Sequence, residues 1–359
     1  MKNSLKHIKE LDGMRGIAAV AVLVFHLTMN EVPKAIIATQ PIAVRAAIRI
    51  ANLGALGVDV FFVLSGFLIT SLLIADKNKP HFYSNFYRKR ILRIGPVYLT
   101  HLLITWFLIP DSHMYVILGL VFLVNFEHQF HVAETGPAWT LSIEEQFYLI
   151  WPQIIGRLSA RNIYRCSIYL ILLSGGLRTY MIVVTRHAAI RNTWYRFDGL
   201  AMGALLACEW MTDKKDSTQD VRWFLKWFNS TPLLIAAIAY EGLLLAIDVP
   251  DVASALILFT TNYLVYRTIR HILYCPQSRY FQWMRSAPLR FLGSISYSMY
   301  MYHLFFMYLF DKHLKNSMFT WSVYWNRVAF VVPITILACL ASMYFMERPI
   351  QGLRRYIVS

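Results

Sequence analysis

The sequence predicts an all-α, polytopic membrane protein of about ten transmembrane helices with both termini cytoplasmic. Three observations predict it. Of 359 residues, 57% are hydrophobic and 15% charged, with a mean hydropathy of +0.46, whereas soluble domains carry about 25% charge. The apolar residues gather into runs close to the roughly 20 residues that cross a bilayer. The 35 Lys and Arg against 20 Asp and Glu lie largely between those runs. In a soluble chain a net charge of +15 would point to nucleic acid. Interleaved with apolar runs, the same excess marks cytoplasmic loops, so the partners expected are membrane lipids and not nucleic acid.

Spans read near 11 to 28, 53 to 75, 95 to 110, 141 to 157, 167 to 185, 194 to 210, 231 to 247, 252 to 267, 289 to 310 and 326 to 346. The first follows Lys2, Lys6 and Lys9 and resembles a secretory leader, but no small-x-small cleavage site lies near Met29 to Glu31. It is therefore read as a retained span. An eleventh candidate, Tyr115 to Phe126, is short and ends in polar residues. With that segment not crossing, most basic residues fall inside, and the outer loops keep Lys34, Arg45, Arg49, Arg186, Arg191, Lys312 and Lys315. Counting it as a crossing would move the basic Arg157 to Arg165 loop outside, against the positive-inside bias. The segment is expected to be re-entrant or interfacial. No repeat or low-complexity linker divides the chain, so a single domain over 1–359 is expected. The four cysteines are far apart and match no metal-ligand spacing, so neither disulfide nor metal is expected.

Ionisable groups within apolar runs are costly and mark candidate function. Arg15 and His26 are 11 residues apart, three helical turns plus about 20°, so they share one face with a rise of roughly 16 Å. Arg15 falls near the cytoplasmic end and His26 in the outer half. That separation is comparable with the reach of a pantetheine arm: phosphates held at Arg15 would bring the far end to His26. The alternative is a snorkelling arginine above a packed histidine. Arg90 and Arg93, three apart within Arg88-Lys89-Arg90-Ile91-Leu92-Arg93, share a helix face at the inner mouth of the third span. Such a pair either grips phosphate with guanidinium forks or orients the helix on anionic lipid. Asp59, Glu144, Glu145, Arg196, Asp198, Arg178 and His303 trace to a depth close to that of His26, which suggests a polar cavity open to the outside. Arg196 with Asp198 also reads as a simple ion pair. Gly199 and Gly203, like the stretch around Ser65-Gly66, read as close helix packing.

Together these residues resemble the acyltransferase 3 family of integral membrane acyltransferases. The resemblance rests on Leu11-Asp12-Gly13-Met14-Arg15-Gly16 with His26, on Gly57 to Ile69 around Ser65-Gly66, on Arg90-Ile91-Leu92-Arg93, and on Trp139 to Leu149 with Glu144-Glu145. Tyr195-Arg196-Phe197-Asp198-Gly199, Ile295 to Tyr300 with His303, and Glu347-Arg348-Pro349 complete it. Each element is common alone; their order along almost the whole chain is specific. The resemblance implies transfer of an acyl group, by expectation acetyl, from cytoplasmic acyl-CoA (acetyl-CoA). The acceptor it implies is a hydroxyl of an extracytoplasmic glycan or glycolipid such as lipopolysaccharide O-antigen or exopolysaccharide. It implies an inner-membrane location, His26 as the essential group, and Arg15, Arg90 and Arg93 as donor contacts. Some relatives append an extracytoplasmic SGNH-type domain. This chain ends at Ser359 without one, so it is expected to act directly or through a separate extracytoplasmic transfer partner.

The mechanism expected has His26 as general base, Glu144 or less favourably Asp59 orienting the imidazole, and Arg178 or backbone donors at the oxyanion. Arg178, Arg196 and His303 are the expected acceptor-binding residues. An acyl-histidine route is the covalent variant. The competing class is a transporter of a glycan, lipid intermediate or ion, which would be expected to show inverted repeats and broken helices; the sequence displays neither.

Overall fold

The computed structural model describes residues 7–29, 32–130, 136–185, 191–211, 222–246, 251–314 and 319–353, and among these residues every regular element is helical. Helix covers most of the described part of each predicted span, that from 289 to 310 as two helices. Among the described residues, five stretches are both long and apolar enough to cross a membrane: Lys9–Thr28, Ile42–Asp76, Phe82–Leu108, Ala160–Val184 and Trp321–Gly352. The chain folds as two compact units interleaved in sequence. The first comprises residues 1–11, 58–82 and 139–285, and the second residues 12–57, 83–138 and 286–359.

In the first unit the helix Phe197–Met211 is buried on nearly every side, as an apolar helix at the centre of a bundle should be. Small residues let its neighbours approach. A Cβ on Gly203 would lie 2.1 Å from the Val63 carbonyl oxygen, and one on Gly66 would lie 2.0 Å from that of Leu200. The expected glycine packing is therefore a crossing of Gly57–Asp76 with Phe197–Met211. The helix Ala138–Arg157 is tied to the same partner by Trp151, whose indole N–H donates to Thr70 Oγ1 at 2.7 Å.

In the second unit the helix Lys9–Thr28 packs against Ala287–Ser294. A Cβ on Gly16 would meet the Leu289 carbonyl oxygen at 2.3 Å, and one on Gly293 would meet that of Asp12 at 2.0 Å. Two helices can come this close only where both lack a side chain. The span expected from 289 to 310 is broken at Ile295 and resumes as Ser296–His313. Arg327, on Trp321–Ser342, donates to Asp311 at 2.7 Å and to the Leu27 carbonyl at 3.3 Å, binding three helices together.

Tyr115 to Phe126 does not form one helix. An eight-residue helix His113–Leu120 is followed by a 3-10 turn Val124–Phe130. Asp111 at φ 57° reverses the chain after Phe82–Leu108, and the short helix runs back alongside it. It stops where Tyr98 donates to the Gly119 carbonyl at 2.9 Å and stacks on Phe122 at 5.3 Å. Eight residues rise only about 12 Å, less than half the hydrocarbon thickness.

Candidate active site

Lys9–Thr28 carries both Arg15 and His26, and its helical rise sets them about 16 Å apart on one face. Arg15 is half-buried and lies 3.8 Å from Asp12 one turn below. Arg90 and Arg93 share the helix Phe82–Leu108, with the Arg90 guanidinium over the Phe86 ring at 5.9 Å. Two contacts bring these arginines to corresponding ends of the unit. Gly16, beside Arg15, rests on Leu289 and Gly293, while the carbonyl of Ile94, beside Arg93, accepts from Tyr297 at 3.1 Å. Gly293 and Tyr297 lie four residues apart on either side of the break at Ile295, so the segment between them joins both arginine elements.

Ala287–Ser294 meets Lys9–Thr28 with Leu289 against Gly16 and Gly293 against Asp12, the chain turns at Ile295, and Ser296–His313 and Lys9–Thr28 then meet again further on. They do so through the histidines: His303 Nε2 lies 3.1 Å from His26 Nδ1, with ring centroids 5.0 Å apart. His303 is 1% exposed and His26 half-buried. Each ring also reaches a carbonyl of its own helix, His26 Nδ1 to Val22 at 3.0 Å and His303 Nδ1 to Met299 at 2.9 Å. One turn below His303, Ser298 and Ser342 both donate to Glu347 Oε1, at 2.6 and 3.0 Å. Glu347 sits at the end of a π-helical turn Met343–Glu347.

The remaining expected residues lie in the first unit, where the ion pairs are crossed relative to the sequence reading. Arg196 does not pair with Asp198, its near neighbour in sequence; it lies 3.3 Å from Asp59, with its guanidinium over Phe62 and Trp139 at 5.2 and 5.7 Å. Asp198 instead takes a two-pronged bond from Arg178 at 2.7 and 3.1 Å, and Arg178 also donates to the Tyr195 carbonyl at 2.6 Å. Arg178 and Asp198 are 1% and 0% exposed. The four charges sum to zero, and both arginines, expected to bind acceptor, have carboxylate partners within the protein. Glu144 accepts from Ser65 at 3.0 Å and from Tyr148 at 3.1 Å.

Sequence reasoning passed over Arg327, and it named Tyr297 and Glu347 only as part of the family resemblance, with no role. Arg327 was open to detection as an arginine inside an apolar run. What Tyr297 and Glu347 do depends on their partners on other helices, which the sequence does not specify. Among the described residues no group of three or more His, Cys, Asp or Glu is placed to hold a metal ion.

The chain is similar to the putative peptidoglycan O-acetyltransferase YrhL of Bacillus subtilis (strain 168), 27% identical over 387 aligned residues, which cover 98% of this chain and 56% of the relative. It is similar to the O-acetyltransferase OatA of Staphylococcus aureus (strain NCTC 8325 / PS 47), 24% identical over 386 residues, covering 97% and 58% respectively. The chain thus spans a little over half the length of these curated relatives. No solved structure matches it. A family model described as an acyltransferase domain matches residues 8–347, nearly the whole sequence, and the chain belongs to that family, acyltransferase 3.

Proposed function

We propose that the protein is a membrane O-acetyltransferase that moves an acetyl group from acetyl-CoA at the cytoplasmic face to a hydroxyl of a polysaccharide outside the cell membrane. Family membership and the O-acetyltransferase names of its relatives support the reaction class. The observation that carries the site is the helix Lys9–Thr28, which places a cation and an imidazole on one face about 16 Å apart. In this proposal ten crossings with both termini inside put Arg15, Arg90 and Arg93 at the cytoplasmic boundary, where they bind the phosphates of CoA. His26 then accepts the proton of the acceptor hydroxyl as its oxygen attacks the thioester carbonyl carbon. The C–S bond breaks, and the departing thiolate takes that proton to leave as CoA thiol. The products are the O-acetyl ester and CoA.

In the first unit Glu144 accepts from Ser65 and Tyr148, and Asp59 is kept in the proposal as the anchor of Arg196. The acceptor is assigned as a class. Lipopolysaccharide O-antigen and exopolysaccharide are what the family resemblance implies, and peptidoglycan comes from the name of the Bacillus relative. Mass spectrometry of each polysaccharide from cells with and without the protein tests the assignment, one fraction being expected to lose a single acetyl unit. His26→Ala should reduce acetyl transfer at least a hundredfold, the usual scale of general-base catalysis, with protein still in the membrane. Transfer at the wild-type rate would overturn the role. Intact labelled acetyl-CoA after incubation with the purified wild-type protein and acceptor would instead favour a transporter.

A further inference from the structure

The two histidines fix each other's protonation. A carbonyl oxygen only accepts hydrogen bonds, so the Val22 carbonyl 3.0 Å from His26 Nδ1 requires a proton on that nitrogen. The Met299 carbonyl 2.9 Å from His303 Nδ1 requires one there as well. His303 Nε2, 3.1 Å from His26 Nδ1, must then present its lone pair to the same proton. The lone pair of neutral His26 is left on Nε2, the nitrogen on the far side of the ring.

We infer that His303 is a positioning residue for the proposed reaction, a neutral imidazole that shares His26 Nδ1–H with the Val22 carbonyl and thereby reinforces the one tautomer, and the ring orientation, in which His26 Nε2 acts as base. The inference rests on the function proposed above and alters the role expected for His303, from acceptor binding to setting its neighbour's ring. In the familiar serine–histidine arrangement a carboxylate does this work. Here a second imidazole does it, and that changes the charge account. When His26 Nε2 takes the hydroxyl proton, the Nδ1–H it shares with His303 becomes charge-assisted and strengthens. The positive charge of the imidazolium is spread towards the second ring, and no net negative charge has to be held beside His26 between turnovers. His303 is itself set by Met299, and its helix is braced one turn below by Ser298 on Glu347.

The test compares His303→Gln with His303→Leu, two side chains of similar size, in purified protein supplied with acetyl-CoA and a polysaccharide acceptor. Glutamine offers a carbonyl oxygen to His26 Nδ1–H; leucine offers nothing. Leucine should lower kcat about 10- to 100-fold, the span of one lost charge-assisted hydrogen bond. It should leave KM for acetyl-CoA near the wild-type value, and glutamine should recover most of the loss. Equal kcat in the two variants, or a change confined to KM, overturns the inference. A second measurement holds even where both variants fold poorly. Long-range proton–nitrogen spectra of histidine-labelled wild-type protein, assigned against His26→Ala, should show His26 protonated at Nδ1; protonation at Nε2 overturns it. His26→Ala separates the two levels. If it abolishes transfer while the two His303 variants behave alike, this inference falls and the proposed function stands; if it retains transfer, the function itself fails.

Discussion

Replacing Gly293 by alanine would place a methyl carbon 2.0 Å from the Asp12 carbonyl oxygen and 2.8 Å from its carbon. Ordinary contact begins at 3.4 Å, so Lys9–Thr28 and Ala287–Ser294 must part by about 1.4 Å, the difference between those two distances. The obstacle is backbone on both sides, and no flexible side chain can swing away. Overpacking of this kind costs about 1–3 kcal/mol. Ile295 breaks the helix between Gly293 and His303, so the displacement reaches the His26–His303 contact, now 3.1 Å, along the continuous helix Lys9–Thr28. An added separation of about 0.5 Å is enough to end that hydrogen bond. Gly293→Ala is therefore expected to lower both thermal stability in detergent and kcat, the latter about tenfold or more. The assay is transfer of labelled acetyl groups in vesicles, with melting of the purified protein as the companion measurement. Gly242→Ala is the control, since nothing lies within 4 Å of its added carbon; it should be neutral or stabilise by up to about 1 kcal/mol. Wild-type melting and kcat in Gly293→Ala would refute the reasoning that this glycine sets the register of the histidines.

Other outcomes follow from separate parts of the molecule. Arg178→Ala strands the buried Asp198 carboxylate and should destabilise by about 3–5 kcal/mol, read as a large fall in melting temperature; an unchanged melt would show that the pair is not closed in the folded protein. Arg15→Ala and Arg90→Ala should chiefly raise KM for acetyl-CoA, and unchanged donor saturation curves would remove the phosphate assignment. Glu209, which accepts from Tyr266 at 2.7 Å and from Arg270 at 3.2 Å, is a structural anchor distant in sequence from the proposed chemistry. Glu209→Ala should lower melting while the surviving folded protein keeps its KM, and a selective change in KM would contradict that role.

The positions of the helices were legible because apolar runs of bilayer length need no knowledge of what they pack against. Their ends were less so. Phe82–Leu108 begins well before residue 95, where the charges of Arg88 to Arg93 lower the hydropathy without interrupting the helix. At about 40 Å by helical rise it outreaches the hydrocarbon layer, and its basic turns belong to the protruding part. Ile42–Asn52 was missed for a similar reason: Arg45 and Arg49 sit on its exposed side, and only Ile48 is buried. In the candidate site, Arg15 and His26 were legible because one helix carries both. The pairing of His26 with His303 depends on which helices are parallel and in what register. The break at Ile295 lies between the Gly293 contact and His303, so residue spacing does not reveal that register, and nothing in either segment names the other. Arg196 and Asp198 misled for a simpler reason: residues two apart on a helical turn point in different directions.

The crossed ion pairs also bear on how the chain enters the bilayer. Arg178 and Asp198 are 20 residues apart on consecutive helices, so a helical hairpin can insert with that pair already made. Asp59 precedes Arg196 by 137 residues, and at about 5–20 residues per second it leaves the ribosome roughly 7–27 s before its partner. A carboxylic acid can wait in hydrocarbon as a neutral acid, whereas an arginine cannot shed its proton. The order of synthesis, acid early and guanidinium late, lets the long-range pair assemble without stranding a permanent cation in lipid.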